Sequence, residues 1–234
     1  THPGEEALLI EASAGIMARH HNIQLVLVPR HPERGGEVEA LLSSSGLPSV
    51  RRSLQLKGDA PPLSGRILLV DTIGELMSLY ALSDIAYVGG SLVPTGGHNL
   101  LEPASRGIPF LFGPHMDNFM EIKELAVEYG AGIQVADVQE FRSALDELLT
   151  TPDMRKGLGY NGLKLLRSSG GAVARHMEAI ERLIGRCIFQ AGQGPAGMGI
   201  PVARYGDCCC FFWLRLHGFT PLSWLSDPFS IFLG

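Results

Sequence analysis

Arg30 follows the apolar run LVLVP and precedes His31 and Pro32. A planar guanidinium offers a fork of N–H donors that fits a phosphate, and the flanking prolines stiffen the turn that would present it. An ordinary surface arginine is the competing reading. Thr72 and Glu75, in DTIGEL, have the Thr-x-x-Glu spacing of a helix capping box, with Gly74 in the first turn. A helix start also turns free N–H groups outward, so Ile73 and Gly74 can meet a base or sugar through backbone and apolar contact. Gly89, Gly90, Gly96 and Gly97 then crowd the loop ahead of a helix expected near Asn99. Glycines let backbone N–H groups converge on an anion, and a helix start favours negative charge there. The loop has no Gly-Lys-Ser/Thr ending and no strict G-x-G-x-x-G. Asn99 and Glu102 repeat the capping-box spacing; the functional alternative has Glu102 accept two hydrogen bonds from the vicinal hydroxyls of a ribose. His115 and Asn118, in GPHMDNFMEI, are loop polar groups, and Asn118 is placed to cap the helix that follows.

Each of these places comes after a short apolar run, which sets the elements that must position them. Helical spacing from Gly4 to Ala18 leads into the strand IQLVLVP, then a helix through PERGGEVEALLSSSG with Gly46 as its stop. The alternation continues: strand RILLVD, helix GELMSLYALS, strand IAYVGG, helix NLLEPASRG, strand PFLFG, helix NFMEIKELAVEYG, strand GIQVA and helix VQEFRSALDELLT. Two more helical stretches, Pro152–Ser168 and Ala172–Ile184, would pack over it. This pattern predicts an α/β domain with a doubly wound, Rossmann-like parallel sheet over 1–185. Ligands of such sheets bind beyond the carboxyl ends of the strands, where Arg30, Thr72–Glu75, Gly89–Glu102 and His115–Asn118 all fall.

Bulk properties exclude some partners. The 234 residues carry 19 Lys and Arg against 24 Asp and Glu, a net charge of −5, which argues against nucleic acid. The four cysteines, Cys187 and Cys208–Cys210, lack a Cys-x-x-Cys metal spacing, and the first 186 residues have none, which suits a reducing setting. No cofactor and no metal is expected. No apolar run reaches the length of a membrane span and no signal peptide opens the chain. The chain opens at Thr1 in what reads as a loop before a helix, so a further upstream part is expected. Beyond Gly185 the composition shifts: no Lys, no Glu, both Trp and six of ten Phe. Residues 186–234 read as a Gly/Pro linker and an apolar aromatic tail of uncertain structure, either a membrane-surface segment or a poorly structured or read-through end.

VPRHPER, DTIGELMSLYALSDIAYVGGSL, GGHNLLEPA and GPHMDNFMEI, in this order, resemble the carboxyl-terminal half of 3-deoxy-D-manno-octulosonic acid (Kdo) transferases. THPGEE is similar to that family's phrase at the junction of its two domains, and the resemblance spans Thr1–Leu183. It implies one half of a GT-B glycosyltransferase in which CMP-Kdo donates Kdo to a lipid A precursor, in synthesis of the lipopolysaccharide inner core. It further implies CMP against Pro29 and Arg30, against Ile73, Gly74 and Glu75, and against Asn99, Leu100, Leu101 and Glu102. The general base, the acceptor and most membrane contact are implied for the amino-terminal half, so no catalytic residue is expected here, Glu5 and Glu6 included. The isolated chain is then expected to be inactive, and the location is the cytoplasmic face of the bacterial inner membrane, reached through the other half or the tail. That tail faintly resembles the membrane-associated start of lipid A 4′-kinases. A GT-B UDP-sugar transferase or epimerase and a non-catalytic nucleotide-binding module stay open as alternatives.

Overall fold

Fully apolar stretches such as ILLV and IAYV can be buried only between two layers, because every residue, odd or even, needs cover. The computed structural model, which describes residues 1–20, 22–169 and 229–233, meets that need with a seven-stranded parallel sheet. The chain runs α1 (Glu5–Arg19), β1 (Ile23–Leu27), α2 (Gly35–Ser44), β2 (Ser49–Arg51), α3 (Arg52–Lys57), β3 (Ile67–Leu69), α4 (Leu76–Leu82) and β4 (Ile85–Val88). It continues through α5 (Leu101–Ala104), β5 (Phe110–Phe112), α6 (Met120–Glu128), β6 (Gly132–Gln134), α7 (Val138–Thr150), α8 (Pro152–Ser169) and β7 (Phe229–Leu233). The sheet order is β2-β3-β1-β7-β4-β5-β6.

Alternate strand residues feed two cores. Leu25, Leu27, Ile67, Leu69, Ile85, Tyr87 and Leu111 pack with α1, α2 and α7, through residues such as Leu9, Ile16, Leu42, Phe141 and Leu145. Val26, Leu68, Val70, Ala86, Val88, Phe110 and Phe112 pack on the other face with Tyr80, Ala104, Ala126 and Leu165 of α4, α5, α6 and α8. Burial of this kind contributes about 1.5–3 kcal/mol per large side chain, so the two cores fix the strand ends firmly. The expected doubly wound fold is therefore present.

Several local expectations change. The helix predicted from Asn99 is a single turn, Leu101–Ala104, and that predicted from Gly74 begins at Leu76. Strand β2 and helix α3, in a polar, arginine-containing stretch, have no counterpart in the sequence reading. Strand β7 is drawn from the aromatic tail and sits in mid-sheet, pairing with β1 from Ile23↔Phe229 to Leu27↔Leu233 and with β4 at Tyr87↔Leu233. The helical stretch Ala172–Ile184 and the rest of the tail up to Pro228 lie outside the described residues. Among the described residues no helix is long and apolar enough to cross a membrane.

Candidate functional site

The winding direction of the sheet reverses at β7, with β1, β3 and β2 on one side and β4, β5 and β6 on the other. Such a reversal opens a crevice at the carboxyl ends of the strands. Thr1 and His2 line it here. The Thr1 nitrogen donates to the Val28 carbonyl at 2.8 Å, and the Arg30 N–H donates to the Thr1 carbonyl at 2.9 Å. Across the crevice, His2 Nε2 lies 3.0 Å from His98 Nε2.

The glycine loop holds an anion, but the anion is the protein's own. Fully buried Glu5 accepts hydrogen bonds from the N–H groups of Gly90 (2.8 Å), Ser91 (3.1 Å) and Leu92 (3.1 Å) and from the Tyr87 hydroxyl (2.7 Å). The expectation that these glycines bring backbone to a ligand is corrected accordingly. A Cβ on Gly96 would collide with the Asn118 amide, and one on Gly97 with the Met116 sulfur; both glycines have φ above +70°. Asn118 does not cap α6. It lies in the 3-10 turn Asp117–Phe119, and its N–H donates to the Gly96 carbonyl at 3.1 Å. The His115 N–H donates to the Ser91 carbonyl at 3.0 Å, so this loop braces the glycine loop.

Neither predicted capping box forms. Thr72 Oγ1 donates to the Glu75 carboxylate (2.5 Å), and Arg52 grips that carboxylate through Nη2 (2.8 Å) and Nε (3.1 Å). The Arg52 guanidinium, more than the Thr72 hydroxyl, holds the Glu75 carboxyl below its usual range. Ser53 fixes the other end of the turn by donating to Asp71 from its N–H (2.9 Å) and hydroxyl (2.6 Å). Ile73 and Gly74 are left as an exposed tip, Ile73 at 86% exposure. With the Glu75 carboxylate engaged, this turn presents backbone and an apolar side chain to a ligand. At the other predicted box, Asn99 Oδ1 accepts from the Leu101 N–H (3.1 Å), with no return bond from Glu102.

Glu102 and Arg30 differ from their neighbours. Glu102 is half-buried, and its carboxylate accepts no hydrogen bond among the described residues. Burial raises its pKa and the charge of Arg30 opposes that rise, so the two side chains feel each other across the crevice. Arg30 is exposed and forms no ion pair among the described residues, whereas Arg34 is committed to Glu6 and Glu37 and Arg52 to Glu75. An unpaired guanidinium facing an unsatisfied carboxylate can hold a ligand that has both an anion and hydroxyls. Pro29 and Leu100 are buried, so only their backbone can face a ligand, and Leu101 is half-buried. The structure places Arg30, Ile73–Glu75 and Asn99–Glu102 in the loops after β1, β3 and β4, at the carboxyl edge of the sheet, and adds Arg52, His2 and His98 beside them, which the sequence did not single out. The histidines stand inside THPGEE and GGHNLLEPA, which was a usable signal; Arg52 had none.

Among proteins of known function, the chain is 36% identical to the 3-deoxy-D-manno-octulosonic acid transferase of Haemophilus influenzae, over 80% of this chain and 43% of that protein. It is 35% identical to the Bordetella pertussis enzyme of the same name, over 79% of this chain and 44% of that protein. The chain thus spans less than half the length of these relatives. No family model matches it. Among solved structures, the C-terminal CMP-Kdo binding domain of WaaA from Acinetobacter baumannii superposes with a TM-score of 0.66 at 35% identity, over 71% of this chain and 85% of that one. With that coverage and identity, joined to the doubly wound sheet, the chain belongs to the Kdo transferase family, within its carboxyl-terminal domain.

Proposed function

We propose that this domain binds the nucleotide of CMP-Kdo and holds the departing CMP while Kdo passes to a lipid A precursor. The observation that carries this reading is the pair of uncommitted, opposed charges, Arg30 and Glu102, at the reversal of the sheet. Arg30 meets the phosphate, whose charge grows as the glycosidic C–O bond breaks; stabilising a leaving group in this way is the electrostatic part of catalysis. Glu102 accepts from the ribose hydroxyls. Ile73 and Gly74 lie against the base, on a turn held by Arg52 and Ser53.

Proton removal from the acceptor falls outside this division of labour. Glu5 is saturated by the glycine loop, and Glu6, equally buried, is bound to Arg34 Nη1 at 2.9 Å and to the Thr1 hydroxyl at 3.1 Å. The base therefore comes from a partner domain, which also meets the lipid at the cytoplasmic face of the inner membrane. Transfer from freshly generated CMP-Kdo, measured for this chain with and without an added family amino-terminal half, tests the assignment. Turnover is expected only with the added half, with protection by CMP and not by UDP. Protection by UDP instead would favour a UDP-sugar enzyme.

A further inference from the structure

Glu5, Glu6, Arg34, Arg52 and Glu75 around the crevice each have partners that explain them, yet two imidazoles meet there without a structural reason. The His2 and His98 rings stack with centroids 5.0 Å apart and planes 26° apart, their Nε2 atoms 3.0 Å from each other. The chain makes room for this: a Cβ on Gly90 would stand 3.1 Å from His2 Cδ2 and 2.8 Å from Thr95 Oγ1, so glycine at 90 seats the His2 ring. His2 is carried beside Arg30 by the Thr1 carbonyl, and His98 directly precedes Asn99. The pair thus sits beside Arg30, at the start of the segment that carries Glu102.

We propose that His2 and His98 act as one proton-sharing pair that charges when an anion seats beside Arg30, so that nucleotide binding by this domain takes up a proton. This rests on the donor-nucleotide reading above. An Nε2···Nε2 contact requires one ring to donate N–H and the other to accept with its lone pair. One added proton, on Nδ1 of the donating ring, gives a charge-assisted N–H···N bond, while a second would place two N–H groups head to head. The pair therefore holds one proton, supplied by solvent, and no covalent bond changes.

The surroundings make the charge conditional. His2 faces Glu5, Glu6 and His31; His98 faces His2, Arg30 and Glu5. Burial first, then the neighbouring His2 and Arg30, lowers His98, and burial lowers His2 as well. Glu5 opposes these shifts, but its carboxylate is already shared among four donors. A phosphate at Arg30 cancels the positive field and favours the imidazolium. Each unit by which this raises the pair's pKa adds up to about tenfold to affinity as pH falls through the window.

The test is NMR of the histidine ring nitrogens of the full chain, titrated from pH 7.5 to 5.5 with CMP, with cytidine and with neither. CMP is expected to raise the apparent pKa of the His2 and His98 rings together, and cytidine, lacking the phosphate, to leave it unchanged. His98→Asn should abolish the upward shift of the His2 ring and flatten the pH dependence of CMP affinity relative to the unmodified chain, which also subtracts the titration of CMP itself. CMP binding with unmoved His2 and His98 rings overturns the pair and leaves the donor reading standing. No CMP binding at any of these pH values overturns both.

Discussion

Glu5 is fully buried and its carboxylate receives four hydrogen bonds, from Gly90, Ser91, Leu92 and the Tyr87 hydroxyl. Glu102, at the same edge of the same sheet, is only half-buried and accepts none among the described residues. Burial with full satisfaction marks a carboxylate that holds the fold; partial burial without it marks one kept for a ligand. Arg34 and Arg30 repeat the contrast, the first engaged with two glutamates and the second unpaired among the described residues. The glycine loop is thus an internal anion nest, and under the proposed function the ligand would be met by the loops around it.

Substitution should separate the two kinds sharply. Glu5→Ala strands the Gly90 and Ser91 N–H groups in the interior, while the Leu92 N–H keeps the Tyr87 hydroxyl and that hydroxyl keeps Ser91 Oγ, so we expect a loss of about 3 kcal/mol in urea unfolding. A loss below about 1 kcal/mol would erase the distinction. Arg30→Ala should do the reverse, weakening CMP binding by about 1.5–3 kcal/mol in calorimetry, the range for hydrogen bonds to charged groups, with the unfolding midpoint nearly unmoved.

Intermediate behaviour is expected of Arg52, which holds Glu75. Arg52→Ala should weaken CMP by about 0.5–1.5 kcal/mol by freeing the Ile73–Gly74 tip, and Glu75→Gln should not add to it, since both remove one contact. The smallest effect belongs to Glu102. Its folded pKa is raised, so the native state keeps a proton that the unfolded chain gives up, and stability falls as pH rises above about 4.5 through the raised value. Glu102→Gln should remove that slope, change stability at pH 7 by less than about 0.5 kcal/mol, and still weaken CMP.

What the sequence disclosed follows from the range of each interaction. Helix α7 was legible over its full length because Phe141, Leu145 and Leu148 repeat at helical spacing and Asp137 caps it locally, accepting from Gln139 and Glu140 N–H at 2.9 Å. Strands buried on both faces announced themselves as apolar runs. Strand β2 did not, since only Val50 of its three residues is buried. Position after a strand was enough to single out Arg30 and Glu102, which the structure leaves without an ion pair or side-chain hydrogen bond among the described residues. The capping-box spacing misled at Thr72–Glu75 and Asn99–Glu102, because Arg52 claims one carboxylate and the single-turn α5 leaves the other unbonded. The occupant of the glycine loop was beyond local reasoning, for Glu5 and Gly90 are 85 residues apart.

Under the proposed function, ligand and fold use different N–H groups and charges at one sheet edge. Backbone amide NMR of the chain titrated with CMP addresses it directly. The account predicts shifts at Arg30, at Ile73–Glu75 and at Asn99–Glu102, with Gly90, Ser91 and Leu92 unmoved because Glu5 already occupies them. Large shifts at Gly90–Leu92 with Arg30 and Asn99–Glu102 silent would contradict it, and would return the glycine loop to the role of phosphate cradle.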